Sequence, residues 1–260
     1  MLNVTTHARL TLVGAGPGDP DLISVKGIKA LADADVVLYD ALVSKELLAY
    51  APDRAELIFV GKRVGRHSHT QDAINELIVH FAHEKGHVVR LKGGDPFIFG
   101  RGYEEIAYAE KHKVATSMVP GISSSAAVPA LQGIPLTSRG INHSFWVVTG
   151  TTSEGELSKD VAIAAQSSAT VVILMGTRKL EQICEIFSAN GKSDTPVAII
   201  QNGTMPDERM VKGKITDIAT KARQEGIGAP AIIVIGETVN LSEKELAPIV
   251  QQQVITELYG

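Results

Sequence analysis

Short runs of β-branched residues alternate with amphipathic stretches along most of this chain, and that alternation constrains its fold more than any other feature. Strands separated by helices return to their sheet through crossovers, which predicts an α/β architecture. In the first half the strand candidates are residues 9–13, 36–39, 56–60, 88–91 and 115–119. Before the fourth of these, Ala73, Ile74, Leu77, Ile78 and Phe81 recur at helical spacing, with Thr70 placed to cap the first turn. Residues 1–119 therefore read as one α/β domain with a parallel-type sheet.

Residues 120–125, Pro-Gly-Ile-Ser-Ser-Ser, combine chain breakers with capping residues and mark a hinge. Strand candidates resume at 144–149, 170–175, 197–200, 209–212 and 231–235, with helices over 180–189 and 215–223. Asn202-Gly203 lies only a few residues before 209–212, which predicts antiparallel pairing and hence a mixed second sheet. Residues 120–245 read as a second α/β domain. Residues 246–260 are a tail without a usable pattern.

With 44% hydrophobic and 21% charged residues, the chain can bury a proper core. A net charge of −4 supplies no general basic field, so neither nucleic acid nor an anionic membrane is an expected partner. No apolar run approaches the ~20 residues that span a bilayer. The first ten residues lack a signal-peptide profile, so a cytoplasmic location is expected. The single cysteine, Cys184, excludes an intramolecular disulfide framework and a cysteine metal cluster. It falls in a helical stretch and is expected to pack there.

The densest motif is residues 92–105, Lys-Gly-Gly-Asp-Pro-Phe-Ile-Phe-Gly-Arg-Gly-Tyr-Glu-Glu, directly after a strand candidate. Gly93 and Gly94 allow backbone to approach a ligand closely. Asp95 puts a carboxylate at the carboxyl end of the strand, where open α/β sheets bind ligands. Arg101, Glu104 and Glu105 sit at the start of the next helix.

A second glycine loop, residues 13–20, reads Val-Gly-Ala-Gly-Pro-Gly-Asp-Pro. It superficially suggests a dinucleotide site, but Asp19 replaces the third glycine of that fingerprint. Pro17 and Pro20 should keep the chain extended, with the helix starting only near Ser24. A pyrophosphate would lack its helix N-terminus, so a nicotinamide dehydrogenase is disfavoured. Asp40 ends the second strand, either as a capping or surface residue or as a catalytic carboxylate. Lys62 ends the third, within Val-Gly-Lys-Arg at 60–63. Gly14, Asp40, Lys62 and Gly93 should share one rim of a parallel sheet, an electropositive one suited to a polyanionic small molecule. His67 with His69, and His80 with His83, lack a matching third ligand, so no metal is expected.

Taken in order, these motifs resemble those of the tetrapyrrole methylases, and among them the uroporphyrinogen-III C-methyltransferases. Tyr-Asp at 39–40, Val-Pro-Gly-Ile-Ser-Ser at 119–124, Gly-Ile-Pro-Leu-Thr-Ser-Arg at 133–139, Met-Gly at 175–176 and Gln-Asn-Gly-Thr at 201–204 extend the likeness over roughly 9–241. One departure is Ser123-Ser124, where relatives often carry Thr-Ala; small residues suffice there.

The resemblance implies two α/β domains with the active site in a cleft between them, and a homodimer. It implies S-adenosylmethionine as methyl donor, contacting Pro17, Gly93, Gly94, Asp95, Ile98, Ser123, Ser124, Met175, Gly203 and the Ala231 region. It makes Asp40 the proton acceptor and Lys62 the proton donor. Arg63, Arg66, Arg101 and Arg139, with Glu104 beside them, become candidates for binding the many carboxylates of uroporphyrinogen III. Two methylations would give precorrin-2, a precursor of siroheme and cobalamin. With so little chain before the first strand, no dehydrogenase-chelatase region is expected. The rivals are a methylase of the same fold acting on a later corrin precursor, rRNA or a protein, and a non-catalytic S-adenosylmethionine-binding regulator.

Overall fold

A computed structural model describes residues 8–61 and 70–243. The chain divides into two compact units, Met1–Ser123 and Ser124–Gly260, so the division falls inside the 120–125 segment.

The first unit is built on β1 (Arg9–Gly14), α1 (Val25–Ala32), β2 (Val36–Tyr39), β3 (Glu56–Phe59), α2 (Gln71–Lys85), β4 (His87–Lys92), α3 (Gly102–Lys111) and β5 (Ala115–Val119). Its sheet runs β3-β2-β4-β1-β5, and every pair is parallel. Side chains alternate across the sheet with period two. Leu10, Leu12, Val36, Leu38 and Val88 face Ile78 of α2 and Ala109 of α3, while Val13, Val37, Val89 and Leu91 face Leu31 of α1. The helices begin where small polar side chains replace missing backbone partners. Ser24 accepts from Gly27 N at 3.1 Å and Thr70 from Ala73 N at 3.2 Å.

The second unit comprises α4 (Ser124–Leu131), β6 (Phe145–Thr149), α5 (Asp160–Gln166), β7 (Thr170–Leu174), α6 (Leu180–Ala189), β8 (Pro196–Gln201), β9 (Arg209–Lys214), α7 (Ile218–Gln224) and β10 (Ala231–Ile235). The sheet order is β6-β7-β10-β8-β9, parallel between β6 and β7 and antiparallel elsewhere. This is the mixed sheet that the spacing after Asn202-Gly203 predicts. One face packs on α5, α6 and α7 through Val161, Ile183, Phe187 and Ile218, and the other on α4 through Val128. Cys184 is buried within the first of these cores, where burial and then Glu181 and Glu185 push its thiol up to about 11.

Three local expectations are corrected. Pro20 does not continue an extended chain: Pro20–Leu22 forms a 3-10 turn, with the Asp19 carboxylate accepting from Asp21 N at 2.9 Å. The last helix starts at Ile218 rather than residue 215, because the Asp217 carboxylate turns back to accept from Lys214 N at 2.7 Å. Lys92 is part of β4 rather than of the loop beyond it. None of the described helices is long and apolar enough to cross a membrane.

Candidate active site

Because all five strands of the first sheet are parallel, their carboxyl ends meet along one rim. Asp40 follows β2, Gly93 follows β4, Gly14 ends β1 and Pro120 follows β5. The chain leaves β1 toward the α1 face and β4 toward the α3 face. Connections that part in opposite directions open a crevice at the carboxyl end of a sheet.

Glycines close this rim on itself. A methyl group on Gly14 would meet Gly121 Cα at 2.4 Å, and one on Gly121 would meet Gly94 O at 2.2 Å. Gly94 N donates to Gly16 O at 2.7 Å and Gly16 N to Gly94 O at 3.3 Å, joining the loops after β1 and β4. Gly94 itself has φ +67, and a side chain added there would project into open space. The three loops are thus packed backbone against backbone, with one glycine presenting an unobstructed surface. Asp95 locks the arrangement: its carboxylate accepts from Phe97 N at 2.8 Å and from Gly121 N at 3.0 Å. The geometry shows Asp95 holding loop backbone, a role the sequence reading did not anticipate.

Beneath the rim lies a group of charges absent from the sequence reading. Arg90 and Lys92 stand two residues apart on β4 and are both buried, with Glu105 of α3 fully enclosed above them. Glu105 Oε1 accepts from Lys92 Nζ at 2.8 Å, from Gln71 Nε2 at 3.2 Å and from Arg90 Nε at 3.3 Å. Its Oε2 is buried without a hydrogen-bond partner. Arg90 also donates to the carbonyls of Leu91 at 2.8 Å and Leu38 at 3.4 Å, and to Asp40 Oδ2 at 3.5 Å. The other Asp40 oxygen accepts from Leu42 N at 3.0 Å. Burial, and then the neighbouring Arg90, push the Lys92 ammonium below its ordinary range, against the pull of Glu105. The signal was present in Val-Val-Arg-Leu-Lys: two cations at period two share a face, so an apolar strand there needs a buried carboxylate.

Among the described rim residues, then, the cations are matched by carboxylates. The electropositive rim expected from the sequence would depend on Lys62, Arg63 and Arg66, which lie outside the described residues, as do His67 and His69. Arg101 caps α3 in a left-handed conformation and donates to Glu104 from Nε at 2.9 Å and from Nη2 at 2.5 Å. That pairing holds the Glu104 carboxyl below its usual range and raises Arg101, so two expected substrate contacts bind each other at the surface. Pro17 is half-buried in the loop after β1, and Ile98 is exposed beside Phe97 and Phe99. Ser123 ends the first unit.

On the second unit, Ser124 opens α4, Met175 follows β7, Gly203 follows β8 and Ala231 opens β10. Met175 is exposed and has φ +55, a left-handed backbone that few side chains adopt. Gly203 is pressed on Val128, whose Cγ1 a methyl group would meet at 2.4 Å. Arg139 is exposed in a turn. The decoy histidines have ordinary partners: His80 faces Glu84 at 3.0 Å, and His83 bonds the His112 carbonyl at 2.9 Å.

Residues 9–219 match the family model for tetrapyrrole (corrin/porphyrin) methylases. A uroporphyrinogen-III C-methyltransferase from Methanocaldococcus jannaschii is 50% identical over 91% of this chain and 99% of its own length. One from Priestia megaterium is 45% identical over 90% and 99%. The siroheme synthase of Thiobacillus denitrificans is 43% identical over 90% of this chain, which spans 49% of that protein. A uroporphyrin-III C-methyltransferase from Thermus thermophilus, solved with S-adenyl homocysteine, superposes with a TM-score of 0.76 at 37% identity, covering 90% of this chain and 99% of that one. A cobalt precorrin-4 methyltransferase superposes at 0.80 with 29% identity, covering 92% and 99%.

Proposed function

The chain belongs to the tetrapyrrole methylase family, and from that premise we infer that it is an S-adenosylmethionine-dependent uroporphyrinogen-III C-methyltransferase. The observation that carries the substrate assignment is 50% identity over nearly the full length of a relative bearing that name. The likeness to a cobalt precorrin-4 methyltransferase gives a later corrin precursor as the second reading. Sequence identity favours the first, since the uroporphyrinogen-III enzyme of Methanocaldococcus jannaschii is 50% identical and the Thermus thermophilus structure 37%, against 29% for the other. Methylation occurs twice, to give precorrin-2, and the enzyme works as a homodimer, as the family resemblance implies. Anaerobic methyl transfer to uroporphyrinogen III tests the assignment.

The residues on the rim fit the methyl donor. Gly94 presents backbone with open space in front of it, and Gly93 beside it carries no side chain. Pro17, Gly93, Gly94, Asp95, Ile98 and Ser123 are the proposed donor contacts on the first unit, and Ser124, Met175, Gly203 and Ala231 those on the second. When bound, S-adenosylmethionine supplies an electrophilic methyl group on a sulfonium. No covalent nucleophile is needed from the protein, whose first task is to hold an electron-rich pyrrole carbon in line with that methyl.

The second task is proton transfer, because a methylated ring must shed a proton. Asp40 is the proposed acceptor: its carboxylate sits at the end of β2, one oxygen held by the Leu42 amide and the other facing Arg90. Lys62 is the proposed donor, by family resemblance. Arg63, Arg66, Arg101 and Arg139 would meet substrate carboxylates. For Arg101 this requires exchanging its bidentate bond to Glu104 for one to substrate.

A further inference from the structure

The buried charges below the rim connect α3 to the proposed base through an unbroken series of polar contacts. Glu105 holds both Arg90 and Lys92 on one oxygen, and Arg90 reaches from Glu105 to Asp40 Oδ2. The series runs along the single face that residues 36, 38, 88, 90 and 92 share, with Arg90 and Lys92 on β4, Glu105 on α3 and Asp40 just after β2. An enclosed carboxylate paired with two cations is costly to remove singly, because each deletion leaves a charge without its partner. Such a group specifies geometry more than it adds stability. Lys92 feels the charges of Arg90, Glu105 and Asp40 together, and that of Glu104 reaches it from the surface. The charges are therefore electrostatically one unit.

We propose that Glu105 is a positioning residue for the reaction, acting through Arg90 to fix the orientation of the Asp40 carboxylate. This rests on the reading of Asp40 as the base. Arg90 has no freedom to choose another position, since its guanidinium is held by Glu105 and by the carbonyls of Leu38 and Leu91. Its remaining Nη2 thus stands at a fixed place opposite Asp40. Two cations and two carboxylates balance in the group, with Gln71 contributing a neutral amide. Removing the Glu105 carboxylate takes away the group that anchors the Arg90 guanidinium, so Asp40 loses the fixed partner facing its Oδ2.

The deciding experiment is a double-mutant cycle on methyl transfer in the intact protein, with Glu105→Gln, Asp40→Asn and the two combined. Glu105→Gln alone should lower kcat about ten-fold or more, while S-adenosylmethionine affinity, measured by calorimetry, stays within about two-fold. In the Asp40→Asn background the same change should lower kcat by much less, because the two residues act as one unit. If Glu105→Gln does not fold, Arg90→Lys, which breaks the same link, replaces it in the cycle. An unchanged kcat, or equal fold losses in both backgrounds, would overturn the proposal. Full turnover by Asp40→Asn alone would instead remove Asp40 as the base, an outcome read from that single variant and so told apart from the first.

Discussion

Gly14 and Gly121 meet backbone to backbone, with a methyl group on Gly14 brought to 2.4 Å from the Gly121 Cα. That approach fixes the loop after β5 against the end of β1, and the Gly94 carbonyl completes the contact. No residue larger than glycine fits at Gly14 or Gly121 without moving a main chain.

Gly121→Ala should therefore cost about 2 kcal/mol or more of stability, as overpacking against rigid backbone does. Gly94→Ala should cost less, about 1–2 kcal/mol, because its only penalty is the left-handed backbone at φ +67. Urea unfolding of the two variants compares them directly. Equal destabilisation would contradict the glycine packing described at the rim.

Gly94→Leu separates stability from binding more sharply. Its side chain enters the open space in front of the backbone, so the fold should persist while S-adenosylmethionine binding is lost. Calorimetric titration beside circular dichroism checks both halves. Near-normal affinity would move the methyl donor away from this turn.

Asp40→Asn keeps shape but removes the proposed base, so turnover should fall by ~10²-fold or more while donor affinity holds. Lys62→Met should likewise act on turnover rather than on affinity. Methyl transfer measured beside S-adenosylmethionine binding distinguishes these roles from those of solvated surface charges. Unchanged turnover in both variants refutes the assignment.

Much of this was legible in the chain. Strands at 36–39 and 231–235 and the helix over 180–189 coincide with the observed elements, because each is a strong apolar pattern bounded by clear breakers or caps, and the mixed run at 115–119 coincides as well. The shared rim followed from parallel connection alone. What local pattern could not show is tertiary pairing. Glu105 looked like one of two acids at a helix start, yet it is enclosed while Glu104 is exposed, and only the packing of α3 over β4 separates them. Asp95 looked like a ligand group, and its tie to Gly121 crosses 26 residues. Gly121 itself looked like a chain breaker, since its close neighbours belong to other loops.

At the opposite end of the sheet, His87 predicts how stability depends on pH. Its buried imidazole donates from Nδ1 to the Asp33 carbonyl at 2.7 Å and accepts at Nε2 from the Thr11 hydroxyl at 2.8 Å, the bonding of a neutral ring. Burial lowers its pKa, outweighing the Asp33 carbonyl. The unfolded chain then binds the extra proton more readily. Stability should be full above the unfolded value of about 6.5 and decline as pH falls below it, levelling off once the folded ring also protonates. Urea midpoints between pH 8 and 5 should show this decline, reduced in His87→Gln. A decline of equal size in that variant would assign it to other groups.

The central claim is methyl transfer to uroporphyrinogen III, and mass spectrometry of the anaerobic product tests it most directly. With methyl-labelled S-adenosylmethionine, the tetrapyrrole should gain two labelled methyl groups, and Asp40→Asn should yield little or none. Recovery of unmethylated uroporphyrinogen from the intact protein, or label found only on a different acceptor such as RNA or a later corrin precursor, would contradict the account.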